Sequence, residues 1–377
     1  MLAVTPQPAL DRPAGPALGQ AIDRLVSSAL LPLDRLRSAL LGPIGRTWRE
    51  PIRDRDLRVA LAGTLGVLTS LALTILAPLW LLALGPLVLG VPHLLSDVRY
   101  LVVRPGLHRR RLFLPLVALP LGISMFKPGL WVALCAVAGA LVLARAPRPV
   151  RAAGIALVLA AAAAAYAGGY TVDVLFAHAH NAVALGLWWW WRPGRPRYQL
   201  APIIASAIGV AALLLAGDAL VHRLGSLAPP HAGLVVDTLA LSLSPIADPA
   251  WSLRLVLAFA FAQSVHYGVW LRLLPDDARP RPGLRSFASS YRALAGDCGR
   301  QLVLGALVLV AALLVWGLFD LELARTAYLR MALFHGPLEL AAIALLLVER
   351  RAPGAVAQPG PEVAAHAPAL ALGGPRA

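Results

Sequence analysis

The sequence predicts an all-α fold, a polytopic transmembrane helical bundle of about ten spans with both termini cytoplasmic. Three observations predict it. Of 377 residues, 59% are hydrophobic and only 14% charged, against about 25% charged in ordinary soluble domains. Apolar runs of roughly 18 residues recur along the chain, each long enough to cross a ~30 Å hydrocarbon layer. Arginine-rich and arginine-poor connections alternate between those runs. Mean hydropathy is +0.71.

Taken in order, residues 1–16 are Pro/Ala-rich and read as disordered. Residues 17–41 repeat apolar positions at helical spacing with Asp and Arg between. They read either as an amphipathic helix lying on the membrane surface or as a floppy basic leader. Residues 1–57 thus form a cytoplasmic extension, 58–350 the transmembrane domain, and 351–377 a disordered cytoplasmic tail. No charged n-region followed by an apolar core marks a cleaved signal peptide. Ten spans fall at about 58–75, 78–103, 111–126, 129–145, 151–168, 172–191, 199–217, 251–272, 301–319 and 328–349. The first two are parted only by "APLW" and read equally as one helix with a re-entrant piece.

The basic connections are 1–57, "RPGLHRRR", "RAPRPVR", "RPGRPR", 273–300 and the tail. The arginine-poor ones lie near 76, at 127–129, 167–173, 218–250 and 319–327. Strict alternation puts both termini in the cytoplasm by the positive-inside rule. The net charge of +15 resides in these loops, not on a basic face of a soluble fold, so nucleic acid is not an expected partner. Lys127 is the only lysine among many arginines. That bias suggests a GC-rich bacterial genome and so a bacterial inner membrane. Two cysteines, Cys135 and Cys298, form no motif.

Five of nine histidines fall inside spans: His93, His178, His180, His266 and His335. Ionisable groups in a bilayer are costly and mark a pathway, relay or ligand site. All five lie on spans two, six, eight and ten, which run in the same direction. At ~1.5 Å per residue they fall ~10–21 Å from the cytoplasmic helix ends, one band near mid-membrane. Neutral imidazole is the commonest metal ligand, and facing helices of a bundle can converge such ligands. Each of the four spans has a histidine with a polar neighbour at helical spacing: Asp97 after His93, Asn181 after His178, Gln263 before His266, Glu339 after His335. A ligating histidine needs such a partner on its other ring nitrogen, and Asp97 is read as the carboxylate that orients His93. Residues 178 and 180 point about 200° apart on a helix, so both cannot easily serve one ion. The three-residue step to Asn181 favours His178. The alternatives are a proton or ion path and interhelical hydrogen bonds that hold spans together.

"GVPHLLSD" resembles the G-x-P-H-G-x-x-D signature of the Brp/Blh family of membrane β-carotene 15,15′-dioxygenases, through Gly90, Pro92, His93 and Asp97, with Leu94 in place of the family glycine. "FAHAHNAVALG" and "FAFAQSVHYGVWLR" resemble later family segments loosely; Trp270 stands where the family has a second histidine. His335 in "ALFHGPLEL" is a candidate fourth ligand outside the family pattern. The resemblance spans about 80–275. It implies a multi-span membrane protein in which histidines hold a non-heme Fe(II) that uses O2 to cleave a lipophilic, carotenoid-like substrate entering from the lipid bilayer. Tyr267 is then a catalytic candidate beside Asp97. Trp188, Trp189, Phe261, Tyr267 and Trp270 are candidates to line a substrate tunnel. "WWWW" at 188–191 also reads as an interfacial aromatic anchor. Pro92 frees a carbonyl one turn back and can aim His93 inward. Two other functional classes remain open: a heme-binding electron-transfer protein with axial histidines, and a transporter or proton channel using the same histidines.

Overall fold

The structure is a computed structural model. It describes residues 17–47, 53–192, 194–228, 234–279 and 285–351. The Pro/Ala-rich start (1–16) and nearly all of the expected C-terminal tail lie outside the described residues, as does His231. Among those described, every element is helical and there is no strand. The main elements are α1 (Ala17–Thr47), α2 (Arg55–Leu76), α3 (Pro78–Val103), α4 (Leu114–Phe126), α5 (Leu130–Leu143), α6 (Arg148–Trp191), α7 (Ala201–Leu224), α8 (Val236–Leu243), α9 (Pro249–Gly268, continued by Val269–Leu273 and Leu274–Asp277), α10 (Phe287–Cys298), α11 (Arg300–Phe319), α12 (Leu321–Ala332) and α13 (His335–Val348).

Helices stand at every segment expected from the apolar runs. Six are long and apolar enough to cross a membrane by length and composition: α2, α3, α6, α7 with its preceding turn, α11, and α12–α13 taken together. α4 and α5 are shorter apolar helices. α2 and α3 are separate helices, because Ala77 leaves helical geometry at φ −152° and Pro78 opens the next helix. α6 is two helices joined at Gly169, whose φ of 50° and ψ of −132° suit a residue without a Cβ. That break falls in the expected 167–173 connection. Several expected connections contain helix. Residues 273–300 hold Leu274–Asp277 and α10. The polar stretch 321–327 is helical, because Asp320 caps it through Leu323 N at 2.9 Å. The loop expected over 218–250 contains α8.

The two sets of connections sort to opposite ends. At the arginine-rich end, Arg58 meets Asp276 at 3.1 Å, Arg195 meets Asp277 at 2.7 Å, Arg99 meets Asp297 at 2.6 Å and Arg110 meets Glu349 at 2.9 Å. At the other end, Ser226 N bonds Leu76 O at 2.9 Å, Leu130 N bonds Asp173 at 2.8 Å and the Tyr170 hydroxyl donates to Leu241 O at 2.7 Å. Connections the chain alternates therefore meet their own kind.

α1 is an ordered helix docked on α10. Asp23 pairs with Arg300 at 2.5 Å and accepts from the Tyr291 hydroxyl at 3.1 Å, while Asp34 accepts from Phe287 N at 3.0 Å. The floppy-leader reading is thereby corrected. Leu25, Leu33, Leu36 and Leu40 stay exposed on one stripe.

The core runs between α3, α5, α6, α9 and α13. Trp188 and Trp191 belong to it, fully buried, and Trp188 donates to Asp277 at 2.7 Å. This corrects the reading of "WWWW" as an interfacial anchor: the indole N–H needs a buried acceptor and finds one. Trp189 and Trp190 are half-buried.

Candidate metal centre

The site is built from α3, α6, α9 and α13. α3 carries wide π-type turns at Pro86–Gly90 and Val98–Val103, on either side of His93. Proline at 86 and 92 removes backbone donors there, and such bulges re-aim side chains. Gly90 allows Tyr328 of α12 to lie against the helix, because a Cβ at that position would overlap the phenol ring. The Ser96 hydroxyl donates to Trp270 O at 2.7 Å and ties α3 to α9.

Four histidines come together. Ring centroids of His93 and His335 are 4.8 Å apart, His180 and His335 5.0 Å, His93 and His266 5.3 Å, His180 and His266 5.3 Å. One nitrogen each of His93, His266 and His335 lies within 4.8 Å of the others. His180 joins through His335, Nε2 to Nε2 at 3.2 Å. His93 and His266 are fully buried. His93 Nδ1 donates to Gly90 O at 2.6 Å and His335 Nδ1 to Ala332 O at 2.5 Å. A neutral imidazole that donates from Nδ1 has a bare lone pair on Nε2. Each i−3 carbonyl therefore turns Nε2 toward the cluster. His93 Nε2 and both nitrogens of His266 have no hydrogen-bond partner.

His178 is not part of the cluster. Its Nε2 donates to Leu243 O at 2.9 Å and its ring packs on Phe259. The preference for His178 over His180 is corrected: position 180 faces α13, and position 178 faces α8. Asn181 bonds its own helix at Ala177 O, 3.1 Å away, and so orients neither histidine.

Two buried carboxylates complete the set. Asp97 Oδ2 is 3.8 Å from His93 Nε2, and neither of its oxygens has a hydrogen bond. Glu339 Oε1 is 3.6 Å from His266 Nε2 and accepts from Trp270 Nε1 at 2.8 Å. Both are fully buried. Asp97 therefore does not orient His93 from the remote nitrogen, since Gly90 O occupies that one. Glu339, expected to serve His335 on its own helix, meets His266 across the bundle instead.

Tyr267 lies with its ring 4.7 Å from that of His93, and its hydroxyl bonds that of Tyr328. Tyr328 and Arg325 were not singled out from sequence, and Gly90 was noted only as part of the signature, not as the seat of Tyr328. Arg325 Nε donates to Leu82 O at 2.8 Å. Only the tertiary packing of α12 on α3 brings them in.

A cavity of about 540 Å³ ends at this cluster. His180, His266, Tyr267 and His335 line it at the inner end; Gly129 and Asp173 line it at the arginine-poor end. Phe259, Leu239 and Leu329 give it apolar walls, Gln263 a polar spot, and Glu322, Arg325 and Arg330 charged ones. Trp188, Trp189, Phe261 and Trp270 do not line it: Phe261 packs under Gly209, and Trp270 serves Glu339.

No protein-family model, no curated protein and no solved structure matches the chain. Fold and site define an all-helical protein, among the described residues, with membrane-length apolar helices around a cluster of four histidines, two fully buried and two half-buried.

Proposed function

We propose that the chain is a membrane-embedded, histidine-ligated non-heme iron oxygenase acting on a lipophilic, carotenoid-like substrate. The observation that carries this reading is the cluster of four imidazoles, two of them fully buried and two half-buried, three of which line the inner end of a largely apolar cavity. Imidazole suits Fe, Zn, Cu and Ni, and imidazoles with carboxylate are the donor set of non-heme Fe(II) oxygenases. The resemblance of "GVPHLLSD" to the Brp/Blh signature supports the same chemistry.

In this reading His93, His180, His266 and His335 bind the ion. The Gly90 and Ala332 carbonyls hold two of the rings in the ligating tautomer. Bound iron would supply the one-electron chemistry that O2 activation needs. The cavity holds the substrate's apolar chain against Phe259, Leu239 and Leu329; its ~540 Å³ lies within the usual 300–1,000 Å³ range of ligand pockets. Tyr267 stands at the cavity edge with its ring 4.7 Å from that of His93. Heme fits less well. A macrocycle between any two of these rings would meet the other two, whose centroids are 4.8–5.3 Å away.

The membrane placement belongs to the same proposal: ten spans, both termini cytoplasmic, in a bacterial inner membrane. The alternation of basic connections and the exposed apolar flanks, such as Leu157 and Leu215 at 72% and 76% exposure, support it. The test is oxygen uptake with product analysis on detergent-purified, iron-loaded protein supplied with β-carotene and shorter polyenes. Uptake with cleavage, in protein without a Soret band, is expected. Absence of uptake with every polyene would remove the oxygenase reading, and a Soret band would favour heme.

A further inference from the structure

The geometry points to a site for two metal ions, with Asp97 and Glu339 as ligands and not as orienting groups. This inference rests on the metal-binding reading above.

The position of the carboxylates carries it. A carboxylate that orients a ligating histidine bonds the ring nitrogen remote from the metal. In His93 that nitrogen is Nδ1, and it is already bonded to Gly90 O at 2.6 Å. Asp97 instead approaches Nε2, at 3.8 Å, the nitrogen that faces the cluster. Glu339 likewise approaches Nε2 of His266, at 3.6 Å. Two donors each ~2.1 Å from one ion are separated by roughly 3.0–3.8 Å at angles of about 90–130°. Three donor pairs have such spacing: His93 with Asp97, His266 with Glu339, and His180 with His335 at 3.2 Å.

Breadth is the second observation. No two donors of one ion can be more than ~4.2 Å apart, twice the bond length. The nitrogens of His93, His266 and His335 lie within 4.8 Å of one another, while His180 falls outside that group and reaches it only through His335. Six donors spread this way exceed one coordination sphere. Two ions about 3.5–4 Å apart, the usual spacing of two-metal sites, fit that spread.

The third observation is the unpartnered oxygen. Asp97 Oδ1 and Oδ2 and Glu339 Oε2 are buried without a hydrogen bond. No arginine or lysine pairs with either carboxylate among the described residues; their ion-pair contacts are with those two histidines. Carboxylates are costly in such a place unless they coordinate a cation. Trp270 Nε1 donates to Glu339 Oε1 and fixes that carboxylate, as ligating carboxylates are commonly held. In bundle two-metal sites four carboxylates accompany two histidines; here the proportion is inverted.

The test is metal stoichiometry. The full chain is purified in mild detergent, stripped with chelator and loaded anaerobically with Fe(II) alone. Iron per chain is measured, and the oxidised sample is examined by EPR and Mössbauer spectroscopy. Two irons per chain and an exchange-coupled, EPR-silent diferric pair are expected. Asp97→Asn and Glu339→Gln, which keep size and shape, are each expected to lower the stoichiometry from two to one or less, with helicity and elution volume unchanged. One iron per chain with a mononuclear ferric signal in the unmodified protein would overturn the inference and leave the mononuclear reading standing. No bound iron would overturn both.

Discussion

Single side chains decide what this bundle can hold. His178 and His180 are two residues apart, yet only His180 faces His335. His180→Ala is expected to lower metal affinity at least 10-fold, the scale seen when even a supporting group of a metal site is lost. His178→Ala is expected to leave it within about twofold, and equilibrium titration with Fe(II) checks both. Gly90 is the second residue of this kind. Gly90→Ala is expected to destabilise the fold by about 1–3 kcal/mol through overpacking against Tyr328, and Gly90→Ala combined with Tyr328→Ala is expected to recover part of that loss relative to Tyr328→Ala alone. Thermal unfolding of the two singles and the double measures the coupling. Sequence spacing made the histidines legible as a set, because five ionisable groups in apolar runs stand out. It did not separate 178 from 180, since helix rotation is fixed only by what packs around it. It likewise paired Glu339 with His335 on the same helix, where the tertiary fold pairs it with His266.

At the scale of elements, apolar run length made the helices legible, and Pro78 and Gly169 fixed breaks that composition alone blurs. The docking of α1 was less legible, because an amphipathic stripe does not say which polar partners its other face meets. Here the partners are ionic. The hydrogen bond from Arg300, the largest cause, holds the Asp23 carboxyl below the usual carboxylate range, against a smaller opposing effect of desolvation. A carboxylate with a lowered folded-state pKa stabilises docking above its unfolded value of about 3.9, and that contribution is lost as pH falls from there through the lowered value. Docking of α1 is therefore expected to be insensitive to pH between 5 and 8, and to weaken below about pH 4. Asp23→Asn is expected to reproduce the weakening at neutral pH. Hydrogen exchange over residues 21–40 reads both; unchanged protection in the variant would contradict the ionic account.

For the whole molecule, the alternation of arginine-rich and arginine-poor connections corresponds to two physical ends, each with its own contacts. The acids that pair with the arginines, Asp276, Asp277, Asp297 and Glu349, passed unnoticed in the sequence, because ion pairs between distant loops have no local signature. With Cys135 and Cys298 replaced by serine, a membrane-impermeant thiol reagent is expected to label Thr238→Cys in spheroplasts and to spare Arg109→Cys until the membrane is opened. Labelling of both in sealed spheroplasts would contradict the orientation. Thr238 lines the cavity, so under the proposed function substrate access and topology are tied together. The measurement that bears most directly on the central claim is elemental analysis of the chain purified in mild detergent after iron-replete growth, beside a variant with His93, His180, His266 and His335 all replaced by alanine. At least one iron per chain in the first and none in the second is the expected result. A chain free of stoichiometric metal, or a variant that retains it, would contradict the assignment of the four histidines as its ligands.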